Sequence, residues 1–380
     1  MKKLIIIFIA LTIAMALTSC DNNYENPNED YCFQGNEPGA YLCDKRTTSY
    51  FDTTVSLKLY NTESDTYDIV EIFNYFETTL ETYHQYFDKY HEYAGVNNIY
   101  TINHSNEAVI LDDILYEAID LALKNEDVIL RENQPLFNIA LNPVLNIWHD
   151  ARENDLCDLG RELGISYCPV PNDLIDGIEF NTNPDDIVLN DSTNSISFLK
   201  PNMSIDLGGV AKGYVSKVIA DYLNKLNITY LLNNGNSNVI AGGTNPNNDS
   251  GNFVIALTTP NTDFHIQTEY FQYIQIPKNL ALVSSGNYQR FFKGIDDSEV
   301  YHHIIDPITN YPGGYSMGVT ILYPDSAIAD ILSTAIYLLP LDEAMEFVNN
   351  YEDLEAIWYL YDDTYQYSDG FADYIYLLEE

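Results

Sequence analysis

The sequence predicts an α+β fold, with mixed, mainly antiparallel sheets packed against helices in a single large domain. Three observations predict it. Many short runs alternate apolar and polar residues as strands do, among several longer runs with helical spacing. The chain is 46% hydrophobic and 13% aromatic, enough to bury a substantial core. No internal repeat or low-complexity block interrupts the pattern, and 380 residues suffice for one large domain.

The elements follow in chain order. Residues 1–20, MKKLIIIFIALTIAMALTSC, open with Lys2 and Lys3 and continue in an apolar run too short for an ordinary transmembrane helix. The closing Leu17-Thr18-Ser19-Cys20 resembles a bacterial lipobox. We therefore expect a lipoprotein signal peptide, lipidation at Cys20, and a mature chain anchored by acyl groups at the extracytoplasmic face of the cell membrane. Residues 21–46 are polar and rich in Asn, Pro and Gly, and read as a flexible tether. The folded domain is expected over 47–380.

SYFDTTVSLKLYN (49–61) alternates like a strand, and the run beginning at Asp68 places Ile69, Ile72, Phe73 and Phe76 on one helical face. IYTINHS (99–105) reads as a short extended piece, and NEAVILDDILYEAIDLALKNE as a second amphipathic helix. GIEFN, DIVLN and SISFL read as short strands. A helix over 212–226 would turn Val215, Val218, Ile219, Tyr222, Leu223 and Leu226 inward. ITYLLNN, GNFVIALTT, YIQI, ALVSSG, VYHHIID, GVTILYP and EAIWYLY follow as strands, with helices at SAIADILSTAIYLL and LDEAMEFVNNY.

Charge and cysteine usage narrow the function. The chain carries 57 acids against 17 bases, a formal net charge of -40, which keeps it soluble and repels a phosphate backbone. A nucleic-acid partner is not expected. Cys32, Cys43, Cys157 and Cys168 match no zinc spacing, and in an exported chain Cys32–Cys43 and Cys157–Cys168 are candidate local disulfides.

Three segments carry chemistry. In SIDLGGVAKGYV (204–215), an acid and two glycines precede a helix, so backbone can approach a ligand closely. Lys212 adds a positive charge where an anion would sit. In SAIADILSTAIYLL, Asp330 and Thr334 are four residues apart on one helical face, an oxygen pair suited to Mg²⁺. In VYHHIIDPITNYPGG, His303 ends a strand as a candidate acid–base or phosphate partner. Phe51 and Tyr90 are candidate ring-stacking groups. The loop NNGNSN at 233–238 either lines a pocket or simply turns.

Taken together, these segments resemble the FAD:protein FMN transferases, the ApbE-type flavin transferases. DLGGVAKGY, LLNNGNSNVIAGG, LVSSGNYQRFF, YHHIIDPITNYP and DSAIADILSTAIYLL are similar to that family's motifs, in order, and the resemblance covers about 47–378. It implies Mg²⁺-dependent transfer of FMN from FAD to a serine or threonine hydroxyl of an exported protein, with release of AMP. FAD would be substrate and Mg²⁺ the cofactor. The same site with water as acceptor would store FAD or hydrolyse it to FMN and AMP.

By position, the Gly209 carbonyl, Asp330, the Ser333 carbonyl and Thr334 would hold the metal. Asp206 and Lys212 would contact FAD. Phe51, Tyr90, Leu136, Phe137 and Asn138 would line the flavin or adenine pockets, with His303 and Ile304 beside them. His303, Asp330 and Lys212 form the expected catalytic set. Asn138, Ala140, Asn310 and the 233–238 loop depart from the motifs, and Asn310 replaces a glycine that a left-handed turn favours.

Overall fold

In the computed structural model, the described residues are 32–34, 40–62, 67–154, 157, 162, 164, 175–260, 269–294 and 300–377. Period-two burial builds the frame. Val55, Leu57 and Leu59 are fully buried on one side of a strand whose intervening residues are polar. That strand, β3 (Val55–Thr62), belongs to a nine-stranded sheet among the described residues. The other members are β1 (Cys32–Gln34), β2 (Ala40–Thr47), β4 (Tyr230–Asn234), β5 (Asn238–Gly242), β6 (Leu280–Gly286), β7 (Gly318–Tyr323), β8 (Glu355–Tyr359) and β9 (Tyr365–Tyr367). Spatial order follows chain order, and every neighbouring pair is antiparallel.

The two sheet faces bury different partners. Helices cover one face: α1 (Ile69–Phe87), α5 (Ala211–Lys225) and α6 (Ser326–Tyr337). Ile72, Phe76, Val215 and Ile219 pack against Leu57 and Leu232, while Ile331 and Ala335 pack in the cluster that holds Val283 and Ile321. The hairpin Phe253–Thr258/Tyr270–Ile276 covers the other face against Val239, Leu282 and Ile357. The helices α2 (Ile99–Asn103), α3 (Asp113–Lys124) and α4 (Asn142–Glu153) flank the helical layer, and α7 (Leu341–Asn350) completes the series. This arrangement is the α+β class read from the sequence. Among the described residues, no helix is long and apolar enough to cross a membrane.

Several local expectations need correction. The expected tether at 21–46 is partly sheet: β2 pairs with β3 over eight residues, from Ala40↔Thr62 to Thr47↔Val55, and Cys32 is disulfide-bonded to Cys43. Backbone ladders and a cross-link hold this edge, so it needs no apolar run to announce it. IYTINHS is helical over Ile99–Asn103, because Asn98 and Thr101 form a reciprocal capping box. Its β-branched residues imitate a strand. Residues 178–180 of GIEFN form no strand. Leu226 is 43% exposed, since the helix ends at Lys225 and the chain turns there. Cys157 is disulfide-bonded, while Cys168 and Cys20 lie outside the described residues.

Candidate functional site

The start of α5 organises the site. The chain enters it through an extended segment that belongs to no strand. Asn103 fixes that segment by accepting from the Ile205 N–H at 2.7 Å, and Asp206 N–H donates to the Ile139 carbonyl at 2.9 Å. The two glycines serve space: a Cβ on Gly209 would stand 3.0 Å from the Phe137 ring. Val210 provides no side-chain cap, so the helix start has polar groups to satisfy.

Asp330 satisfies one of them. Its Oδ2 accepts the Gly213 N–H at 2.8 Å, and its Oδ1 accepts from Asn238 at 3.1 Å. Two N–H groups of the helix start are thus taken, Gly213 by this carboxylate and Ala211 by the Leu207 carbonyl. Asp330 is 5% exposed. Burial raises its pKa, and Lys212 opposes the rise. Burial likewise lowers the Lys212 pKa, with Asp330 raising and Arg290 lowering it. The α5–α6 contact is close: a Cβ on Gly213 would lie 2.2 Å from the Ser326 carbonyl oxygen, and Ser326 Oγ donates to Gly213 O at 2.7 Å.

Thr334 sits one turn along α6 and donates its hydroxyl proton to the Asp330 carbonyl at 3.1 Å. That leaves its oxygen lone pairs free. Ser333 is fully buried behind it, with its hydroxyl bonded to Asp330 O and Ser285. Among the described residues no three His, Cys, Asp or Glu converge as a metal cluster. The donors available are one carboxylate, one hydroxyl and backbone carbonyls. This oxygen set fits Mg²⁺, which needs few protein ligands when substrate phosphates complete its shell.

Lys89 is a residue the sequence reading missed. Its Nζ lies 2.6 Å from Asp206 Oδ2, and it donates to Asn142 Oδ1 at 2.7 Å and Asn146 Oδ1 at 2.9 Å. All three ammonium protons are thus committed. Burial disfavours the Lys89 charge, yet Asp206 outweighs it and the pKa is raised. Burial would raise the Asp206 pKa, but Lys89 and the Gly208 N–H hold it low. The scarcity of bases beside Tyr90 was the available signal. Lys89 stands 5.1 Å from the Tyr90 ring centroid, and Tyr90 stacks on His149 at 4.9 Å.

His303 lies across the cleft. Its backbone N–H donates to the Arg290 carbonyl at 3.1 Å, and its Nδ1 lies 3.2 Å from the same oxygen. That contact assigns the proton to Nδ1 and leaves Nε2 as acceptor. Removal from bulk water, with Arg290 and Lys212 nearby, pushes its pKa down to about 3. The residue opens to the cleft. Phe51 carries φ 56° and Asp52 φ 51°, left-handed conformations that cost a non-glycine residue on the order of 1–2 kcal/mol each.

These groups surround a cleft of about 490 Å³ and an adjoining recess of about 730 Å³. Tyr90, Leu136, Phe137, Asn138, Asp206, Gly209, Lys212, His303, Ile304, Asp330 and Thr334 all line the cleft. Phe51 lines the recess instead. Gly235, Asn236 and Ser237 of the asparagine-rich loop line the cleft as well. The departures are mild. Asn138 Oδ1 accepts the Ala140 N–H at 2.8 Å, a role an aspartate would also fill, and Ala140 is fully buried. Asn310 holds φ 63°.

Comparison with known proteins finds relatives over most of the chain. The chain is 27% identical over 227 residues to the FAD:protein FMN transferase of Klebsiella pneumoniae, covering 58% of this chain and 62% of that protein. It is 25% identical over 356 residues to the Haemophilus influenzae FAD:protein FMN transferase, covering 91% and 90%. The Thermotoga maritima ApbE structure superposes with a TM-score of 0.70 at 21% identity, over 88% of this chain and all of that one. The Vibrio cholerae flavin transferase ApbE gives 0.63 at 20% identity, over 88% and 99%. The description "ApbE family" matches residues 51–358, most of the folded chain, and the chain belongs to that family.

Proposed function

We propose that this chain is a Mg²⁺-dependent FAD:protein FMN transferase acting on an exported acceptor protein. The observation that carries the reading is the Gly213–Asp330 bond at 2.8 Å. It brings the start of α5, with Lys212, and the Asp330–Thr334 face of α6 to one wall of the cleft. An anion-binding cation and an oxygen set for a metal then share the place where a pyrophosphate would lie.

In the proposed reaction a serine or threonine hydroxyl oxygen bonds to the FMN phosphorus. The phosphoanhydride bond to AMP breaks, and its electron pair leaves on the AMP phosphate. The hydroxyl proton passes to His303 Nε2, whose neutral ring becomes more basic once the bound phosphates offset the Arg290 and Lys212 charges. Bound Mg²⁺, held by Asp330, Thr334 and the Gly209 and Ser333 carbonyls, would neutralise phosphate charge. Lys212 orients the pyrophosphate, and Asp206, held by Lys89, keeps the glycine turn in register. The Phe137 and Tyr90 rings offer faces for the planar groups.

The leader at 1–20 supports lipid anchoring at Cys20 on the extracytoplasmic face. The Cys32–Cys43 disulfide supports an oxidising compartment.

The test is transfer to a purified exported acceptor in the presence of FAD. We expect a covalent flavin fluorescence band with Mg²⁺, none with EDTA, and none with a folded Asp330→Ala variant. Full activity in EDTA would refute the metal role. AMP release without a band would instead assign FAD hydrolysis.

A further inference from the structure

A dinucleotide joins two ring systems through a pyrophosphate, and the cleft and the recess are two hollows that share a wall. Lys89, Asp206, Lys212 and Arg290 line both. Lys89 and Asp206 neutralise each other at 2.6 Å. Arg152 lines both as well and pairs with Glu153 at 3.0 Å, so among the described residues the junction cations without an ion pair are Lys212 and Arg290.

Arg290 is exposed and forms no ion pair among the described residues, in a chain of 57 acids and 17 bases. It is nevertheless held in place. Its Nη2 donates to the Phe51 carbonyl at 3.3 Å, on the turn where Phe51 and Asp52 adopt left-handed conformations. Its own carbonyl carries His303 through the 3.1 Å backbone bond. Its charge also depresses the Lys212 and His303 pKa values, while Asp330 acts the other way on Lys212, so among the described residues Arg290 itself has no acid set against it. A bound anion would relieve the repulsion among these basic groups. The guanidinium fork suits phosphate oxygens.

We propose that Arg290 is a catalytic residue of the transfer: its guanidinium contacts the pyrophosphate opposite Lys212. There it offsets the charge that collects on the AMP phosphate as the phosphoanhydride bond breaks. The proposal rests on the transferase reading and adds a residue that the sequence motifs left without a role.

The test compares the wild-type chain with Arg290→Gln and Arg290→Lys, each checked for folding by circular dichroism. FAD and riboflavin binding are measured by flavin fluorescence without acceptor, and AMP release in single turnover with acceptor. Arg290→Gln should weaken FAD binding about tenfold and slow AMP release on the order of a hundredfold. Riboflavin binding, which involves no phosphate, should be unchanged, and Arg290→Lys should recover part of the loss. Unchanged FAD affinity and rate would overturn the proposal. So would equal losses for FAD and riboflavin, which mean packing, or a rise confined to the KM for acceptor, which places Arg290 against the acceptor. If the wild type binds FAD but flavinylates no acceptor, the transferase reading fails. The proposed pyrophosphate contact is then still decided by the FAD-against-riboflavin comparison.

Discussion

Burial of single charges sets the most measurable residue-scale effects. Glu126 is 4% exposed and accepts the Ile139 N–H at 3.3 Å. Burial pushes its pKa up to about 8, against an ordinary 4.5. The folded state therefore binds the proton more tightly, and stability is fully present below about pH 4.5 and falls as pH rises towards 8. The loss approaches roughly 5 kcal/mol by linkage, an upper figure. Glu126→Gln should remove that slope and raise the urea midpoint at pH 7.5 more than at pH 4.5. An unchanged slope would contradict the burial of this charge. Lys89 makes the opposite case, because its charge is paired. Lys89→Met should cost about 3 kcal/mol, and Asp206→Asn in the same chain should cost less than the two losses summed. Neither residue was legible as a site: Glu126 is identified by its burial and a backbone partner thirteen residues on, and Lys89 by partners more than fifty residues away, which local spacing does not encode.

Where two helices meet, one backbone position decides whether the site forms. Gly213 lets α5 approach α6 until Ser326 and Asp330 bond to it directly. Gly213→Ala would place a methyl group 2.2 Å from the Ser326 carbonyl oxygen, so the helices must separate. We expect a loss of about 3 kcal/mol in chemical unfolding, with FAD binding lost even where the fold survives. Intact FAD binding would show that the helices need not touch. The sequence announced this place well, because glycine, lysine and acid recur within short, strongly periodic runs. It announced α2 poorly, since its identity rests on the Asn98–Thr101 cap rather than on periodicity. It announced β2 poorly too, since pairing with β3 compensates for a polar composition.

Taken whole, the molecule is acidic, and four of its 17 bases, Lys89, Arg152, Lys212 and Arg290, gather around the cleft and its recess. Lys89 and Arg152 are paired there with Asp206 and Glu153, which leaves Lys212 and Arg290 to meet an anionic substrate. The fold class was legible because alternation and helical spacing are strong over most of the chain. The meeting of residues 51, 90, 136–138, 206–212, 303 and 330–334 was legible only through ordered motifs, as the antiparallel sheet assembles them from distant segments. At this scale the proposed leader makes its own prediction. Cys20→Ala should move the chain from the membrane fraction to the soluble fraction in cell fractionation. Continued membrane retention would remove the acyl anchor from the account.

The most direct test of the central claim measures both products of one reaction. Acceptor protein, FAD, Mg²⁺ and the chain lacking residues 1–20 are incubated together, and intact-protein mass and AMP are followed over time. The account predicts that the acceptor gains one FMN phosphoester for each AMP released, and that a folded Asp330→Ala variant yields neither. AMP accumulating beside an acceptor of unchanged mass, or neither product from the folded wild-type chain, would contradict it.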